Sequence, residues 1–336
     1  MTSKELAKKL GISEATVSLA LNDRPGISAA TKQKILEAAK ETGLEINKKT
    51  RGTGRHKKMI YIMQYEKGRN IYTNNFFRET IAGIESQCMQ NGYLANSVSV
   101  FSREQFAQRL KSLESEHPAG VILFAYMMTE ADFQLLSFTS LNVILMDNQF
   151  RSSRFTTIQI NNYDAFFEST NYIIKKTGEQ PGYLKSTMNT YDFEQRSQGF
   201  YAALKHNVMP KSGSIIHELP PTIDGAYKEM LDIIKSGEQL SSSYVADNDM
   251  IAIGAIKAMK ECGINVPKDI SVIGFDDLPM SEYIDPPLTT VKVPRFYMGT
   301  LAVDILLSSF NRPEQYALKL EVTPTLEIRK SIRTII

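Results

Sequence analysis

Apolar residues at the start of the chain recur at helical spacing in three short runs. Leu6, Ala7 and Leu10 share one face of a first helix, which Thr2 or Ser3 can cap and Gly11, suited to a left-handed backbone, can stop. Ser13 caps a second helix, Glu14 to about Leu21, with Ala15, Val17 and Leu21 able to face inward. After the turn residues Asn22-Asp23-Arg24-Pro25-Gly26, Ser28 or Thr31 opens a third helix that buries Ile35, Leu36, Ala38 and Ala39 before Gly43. The pattern predicts helix, short turn, helix, loop, helix.

From Met59 onward the period changes. Short apolar runs at 59–64, 93–99, 120–125, 142–146, 156–160, 181–185, 214–218, 243–246 and 270–275 predict strands, and amphipathic stretches between them predict helices. Alternation of this kind implies parallel sheets covered on both faces. About four strands precede residue 160 and about four follow, so two lobes with a cleft between them are expected rather than one wide sheet. Ligands in such sheets bind beyond the carboxyl ends of the strands.

Composition narrows the class. The chain has 336 residues, 42% hydrophobic and 23% charged, which excludes a disordered or fibrous protein. The polar N-terminus lacks an apolar signal core and no apolar run approaches a membrane span, so neither export nor a membrane partner is expected and the cytoplasm is the expected location. Two cysteines, Cys88 and Cys262, and four scattered histidines give neither a disulfide framework nor metal-ligand spacing. The net charge of +2 is unevenly spread: residues 1–58 carry 13 Lys/Arg against 6 Asp/Glu, and the remaining 278 residues carry 26 against 31. A head of net +7 on a body of net −5 points to a polyanionic partner, because basic groups gain affinity by releasing counterions from phosphate.

The three helices with a glycine in the first turn fit a helix-turn-helix, whose second helix enters the major groove. The run SKELAKKLGISEATVSLALNDRPGISAATKQKILEAAKETG also resembles the head of the lactose/galactose repressor (LacI/GalR) family, with the pattern DVAKxAGVSxATVSxxLN followed by VSxxTRxxVxxAxxxLGY. Matching residues include Leu6, Ala7, Gly11, Ser13, Ala15, Thr16, Val17, Ser18, Leu21, Asn22, Ser28, Thr31 and Gly43. The resemblance implies that Glu14, Ala15 and Leu19 face base edges and that Ser13, Thr16, Ser18 and Asn22 bond phosphates. Leu19 departs from the arginine of many members and offers only apolar contact, for instance to a thymine methyl. In the connector, Asn47 and Arg51 match the family, whereas Ile46, Thr50 and Thr53 replace its Pro, Ala and wedging Leu, and Gly52 and Gly54 weaken any hinge helix. Lys48, Lys49, Arg51, Arg55, Lys57 and Lys58 are expected to act instead as a basic arm on the DNA backbone, the alternative being a flexible linker whose charges only add solubility.

The body resembles the effector domain of the same family and, more distantly, periplasmic sugar-binding proteins. The family patterns RxxGF, NDxxAxGA, VPxDxxVxGFDD and PPLTTV appear as Arg196 to Phe200, Asn248 to Ala255, Val266 to Asp277 and Pro286 to Val291. The resemblance implies an effector site built from Arg196, Asn248 and Asp276 in the second lobe and Asp147 and Asn148 in the first. Phe76 and Phe77, in a segment similar to NPFF, would stack on the ligand. Such a set suits a polyol, whose paired hydroxyls need bidentate charged groups and whose C–H faces need an aromatic ring. Val293 stands where the family often has Gln, and the usual GHR turn is Gly178-Glu179-Gln180.

The expected architecture is α/β: a helix-turn-helix head at 1–46, a basic linker at 47–58, and a two-lobed periplasmic-binding-protein-like body with two parallel sheets at 59–336. The first lobe takes about 59–158 and 294–320, the second about 159–290 and 321–336. An enzyme is not expected, since the chain lacks a strand-borne GxGxxG, a P-loop and a GxSxG elbow. The expected function is that of a homodimeric, operator-binding transcription repressor controlled by a small molecule, with double-stranded DNA and that effector as partners and no cofactor. A saccharide is the first candidate and a purine-like corepressor the alternative, with a solute-binding protein that does not bind DNA as a further alternative, which the basic helical head argues against. The resemblance places the dimer interface near 76–91 and 276–285.

Overall fold

In the computed structural model, residues 3–21, 27–42, 58–67, 73–150, 153–310 and 316–334 are described. The chain divides into two compact units, Met1–Arg55 and His56–Ile336.

The first unit holds helices α1 (Ser3–Leu10), α2 (Glu14–Leu21) and α3 (Ala29–Glu41). Leu6, Ala7, Val17, Ala20, Ile35 and Ala39 form its core, with Leu10, Ile12, Ile27 and Ala38 packed against it. Ser13 Oγ accepts the Thr16 amide at 3.1 Å and Ser28 Oγ that of Thr31 at 3.1 Å, so each serine caps the helix that follows it. Gly11, with φ +66°, makes the turn between α1 and α2.

The second unit alternates β1 (Met59–Tyr65), α4 (Thr73–Gln90), β2 (Leu94–Val100), α5 (Arg103–Glu116), β3 (Gly120–Phe124), α6 (Glu130–Phe133), β4 (Val143–Met146) and β5 (Thr156–Ile160). It continues with α7 (Asn162–Thr177), β6 (Gly182–Ser186), α8 (Tyr191–His206), β7 (Ile216–Leu219), α9 (Ile223–Ser236), β8 (Ser243–Ala246), α10 (Asp249–Glu261) and β9 (Ser271–Asp276). The last elements are α11 (Met280–Tyr283), β10 (Thr289–Lys292), α12 (Arg295–Ser309), β11 (Lys319–Val322) and β12 (Thr325–Glu327). Two six-stranded sheets result, ordered β11-β5-β4-β3-β1-β2 and β12-β10-β9-β8-β6-β7.

Burial on both sheet faces explains the strand sequences. Along β1, Ile60 and Ile62 enter one core while Tyr61, Met63 and Tyr65 enter another, so adjacent positions are apolar on opposite faces. Helices α4 and α12 cover the first sheet in direct backbone contact: a Cβ on Gly299 would stand 2.1 Å from the Thr80 carbonyl oxygen, so only glycine fits.

Three details differ from the sequence expectation. The second sheet is not wholly parallel, because β12 pairs antiparallel with β10. Thr323 and Pro324 carry the chain from β11 at the edge of the first sheet to β12 at the edge of the second. The chain leaves the first sheet after Ile160 and again after Val322, about two residues beyond the expected 158 and 320.

Candidate functional site

On the head, Ser13, Glu14 and Ser18 are exposed, and Thr16 and Leu19 are half-buried, all on or at the start of α2. Ala15 falls on the same helix. The hydroxyls of Ser13 and Thr16 lie 2.8 Å apart, so both residues expected to meet phosphate also form the helix cap. Asn22, Asn47, Lys48 and Arg51, together with most of the expected basic arm, lie outside the described residues.

In the body a cavity of about 90 Å³ opens at the carboxyl ends of the strands. Phe76 and Phe77, in the first turn of α4, and Tyr126, just past β3, line it from the first lobe. Arg196 and Asp192 on α8, Asn248 at the cap of α10, and Asp276 at the end of β9 line it from the second, with Phe193 and Met250 between them. Five of the seven expected effector residues therefore meet at one cavity: Phe76, Phe77, Arg196, Asn248 and Asp276.

Arg196 organises the charged side. Its Nε donates to Asn162 Oδ1 at 2.8 Å, Nη1 donates to the Asp247 carbonyl, and Nη2 lies 3.6 Å from Asp276 Oδ1. Its guanidinium carbon stands 3.7 Å from the centre of the Phe275 ring, which fixes the plane of the group. Asn162 in turn donates to Asp192 Oδ1 at 2.8 Å. Asp247 accepts from the Tyr183 hydroxyl and the Ser186 amide, both at 2.5 Å. Burial pushes the carboxyls of Asp192, Asp247 and Asp276 up to about 6, against the pull of Arg196. Asp276 Oδ1 is buried and has no hydrogen-bond partner, although it faces Arg196.

Asn248 serves two purposes by geometry. Its Oδ1 accepts the Ile251 amide at 2.9 Å as the α10 cap, and no protein acceptor takes its Nδ2 among the described residues. That amide is left to donate into the cavity.

Phe77 is 3% exposed and packs on Phe124 and Tyr126 with ring centres at 4.5 and 5.2 Å, so it is a core residue with one edge on the cavity. Phe76 is half-buried and meets Phe77 edge-on.

Asp147 and Asn148 stand apart from the lining. Asn148 Nδ2 donates to the carbonyls of Ala125 at 2.8 Å and Met128 at 3.1 Å, so its amide shapes the loop that carries Tyr126. Asp147, at the end of β4 with φ +58°, is buried behind the cavity wall with Oδ1 unbonded. Burial first, then Asp192 and Asp276, hold its carboxyl well above the usual range, with Arg196 opposing.

Tyr126, Asp192, Phe193, Asn162 and Asp247 were not expected at the site. Asp192 had a visible signal, an acid four residues before Arg196 on one helix face. Among the described residues no group of three or more His, Cys, Asp or Glu is arranged to hold a metal ion, and no helix is long and apolar enough to cross a membrane.

Known proteins extend these observations. Residues 2–45 match the family of bacterial regulatory proteins, lacI family, and residues 179–332 match the periplasmic binding protein-like domain. The HTH-type transcriptional repressor PurR of Haemophilus influenzae (strain PittEE) is 27% identical over 345 residues, spanning 100% of this chain and 99% of its own length. The fold is similar to that of the transcriptional regulator CelR in its cellobiose complex, with a TM-score of 0.73 at 20% identity over 98% of this chain and 99% of that one. It is equally similar to the lac repressor dimer bound to operator and the anti-inducer ONPF, with a TM-score of 0.72 at 20% identity over 99% of each chain. The chain thus joins a lacI-family helix-turn-helix head to a periplasmic-binding-protein-like body whose strand ends converge on one cleft, the organisation of the DNA-binding transcriptional repressors to which it is similar.

Proposed function

We propose that the protein is a homodimeric, cytoplasmic repressor whose heads bind a pseudo-palindromic operator and whose cleft holds the small molecule that sets operator affinity. Residues Ser13 to Leu19 on α2, with Asn22 and the basic segment containing Asn47, Lys48 and Arg51, would dock the head, and a twofold pair of heads would match two half-sites. The lac repressor likeness is a dimer on its operator, and the CelR likeness holds a disaccharide, which supports both halves of the reading.

One observation carries the regulatory part. A single cavity takes Phe76, Phe77 and Tyr126 from one lobe and Arg196, Asn248 and Asp276 from the other, so whatever fills it biases the position of one lobe against the other. Its free space of about 90 Å³ is below the roughly 300–1,000 Å³ of pockets that enclose drug-sized ligands, so admitting a saccharide requires the lobes to move. That movement is the coupling step. Asp147 and Asn148 would support the site from behind, the latter through the loop of Tyr126.

The aromatic lining also admits a purine-like corepressor, whose ring would stack on Phe76 or Phe193 while its N–H groups reach the carboxylates. The two readings separate in one experiment. Binding sites are selected from a random duplex pool, and operator binding is then titrated with sugars, sugar phosphates and purines. A saccharide that changes the affinity of the wild-type protein, but not that of Asp276→Asn with its operator binding intact, supports the reading. An equal response in the variant removes the site, and failure to enrich any duplex removes the DNA-binding role.

A further inference from the structure

The cleft carries more negative charge than a neutral polyol needs. Asp192 and Asp276 both line the cavity. Arg196 is the one cationic side chain in the lining, and most of its hydrogen-bonding capacity is committed: Nε to Asn162, Nη1 to the Asp247 carbonyl and its face to Phe275. Arg295, the next nearest guanidinium, donates to the carbonyls of Asp276 and Asp277 and to Glu79. Neither arginine bonds a carboxylate of Asp147, Asp192 or Asp276 within hydrogen-bond distance, the nearest approach being 3.6 Å from Arg196 Nη2 to Asp276 Oδ1.

One carboxylate oxygen makes this more than an acidic cluster. Asp276 Oδ1 belongs to a side chain 7% exposed, lines the cavity and has no hydrogen-bond partner. A buried acceptor left without a donor is costly, so that oxygen is set for a group that arrives with the ligand. The first-lobe wall is aromatic, with Phe76, Phe77 and Tyr126, and ring faces attract a cation by their quadrupole.

From this arrangement, and resting on the reading of the cleft as the effector site, we infer that the effector carries a protonated amine, an amino sugar being the form that fits, and that its ammonium group is received by Asp192 and Asp276. An ammonium brings three donors and one positive charge to a wall that has acceptors in excess and charge to neutralise. A phosphorylated ligand would bring negative charge to the same wall and is excluded. Asp192 is then the specificity-determining residue, since Asp276 serves hydroxyls as well as amines and the free amide of Asn248 can only donate.

The test uses the full-length protein and nine compounds: glucose, galactose and mannose, their 2-amino derivatives and their 6-phosphates. Calorimetric titration is expected to show at least one amine binding about tenfold more tightly than its neutral parent, with no binding by the phosphates. In Asp192→Asn the advantage of that amine over its parent should shrink to about threefold or less, while the parent still binds. That retained binding shows the variant is folded. Neutral parents binding as tightly as their amines, a phosphate binding best, or silence from all three amines overturns the inference. The effector reading fails separately: it stands if any amine, neutral sugar or purine alters operator binding, and falls if none does.

Discussion

Gly274 and Asp249 share one space: a Cβ on Gly274 would stand 2.2 Å from Asp249 Oδ1. The carboxylate cannot move aside, because it accepts from the Leu278 amide at 2.8 Å, the Ser281 hydroxyl at 2.6 Å and the Thr290 hydroxyl at 2.5 Å. One fully buried acid thereby ties α10 to the turn after β9, the turn that presents Asp276 to the cavity.

Gly274→Ala should therefore destabilise the body by about 2–3 kcal/mol, the range for overpacking a closed core. Asp249→Ala should cost about the same by leaving three buried donors without their acceptor. Urea unfolding followed by circular dichroism measures both, and a wild-type midpoint in either variant would show that the turn does not depend on this contact.

The same buried acids set a pH dependence. Burial raises Asp192, Asp247 and Asp276 to about 6 and Asp249 to about 7, and it raises Asp147 as well. In the unfolded chain these carboxyls titrate near about 3.9, so the folded state takes up protons first. Their contribution to stability is full below about pH 4 and is lost as pH rises through about 6 to 7. Five groups oppose it, among them Glu104, held low by the Ser102 hydroxyl, and Asp269, held low by the Asn265 amide. Glu116 is held low by the Tyr61 hydroxyl, and Asp132, which burial alone would raise, is pulled low by Thr129. Burial lowers His217, so protonation of the unfolded chain competes there. Burial raises Glu66 as well, and with six acids raised against these five the thermal midpoint of the unliganded protein should be higher at pH 5.5 than at pH 7.5 by a few degrees. A midpoint that falls between pH 7.5 and 5.5 would contradict the assignment, and Asp249→Asn should flatten the profile.

How much of this was legible in the sequence depends on what holds each residue in place. Asn248 and Arg196 are readable because local rules put them there: Asn248 caps the helix that begins at Asp249, and Arg196 sits one turn into a helix opened by Thr190. Tyr126 is not readable, since its place depends on Asn148 bonding the loop from another strand end. Strand β10 escaped the hydrophobic pattern because its buried positions include Thr289 and Thr290, whose hydroxyls bond Arg329 and Asp249. The edge strands β11 and β12 are short and place only Leu320, Val322 and Leu326 against the core, so no apolar run marks them.

The head offers a test of base reading. Leu19 is half-buried on α2 beside exposed Glu14 and Ser18, on the helix expected in the major groove. Leu19→Arg replaces an apolar contact by a fork that bonds guanine bidentately, worth about 1–3 kcal/mol of discrimination. Sites selected by the variant should gain a guanine at one position of each half-site where the wild type prefers another base. An unchanged consensus would remove Leu19 from the reading surface. Ser13→Ala serves as the control for folding, because loss of the cap should lower head stability by about 1 kcal/mol without changing which bases are preferred.

Arg295 provides the route from the cleft to the first lobe. From the start of α12 it donates to the carbonyls of Asp276 and, at 3.1 Å, Asp277, while its Nε lies 3.2 Å from Glu79 Oε2 on α4. Its guanidinium also stands 5.5 Å from the centre of the Phe76 ring. Asp276 and Asp277 have φ of +115° and +53°, conformations unfavourable for residues with a side chain. The guanidinium therefore stabilises a strained turn and links it to the helix that bears Phe76 and Phe77. Arg295→Met keeps much of the packing volume and removes the fork, so the turn should relax and effector affinity should fall about tenfold, with operator binding in the absence of effector unchanged. Arg295→Lys, which can supply a charge but not the paired geometry, should lie between the two. Effector titration of operator binding measures all three proteins, and a wild-type response in Arg295→Met would mean that the turn holds Asp276 in place without this link.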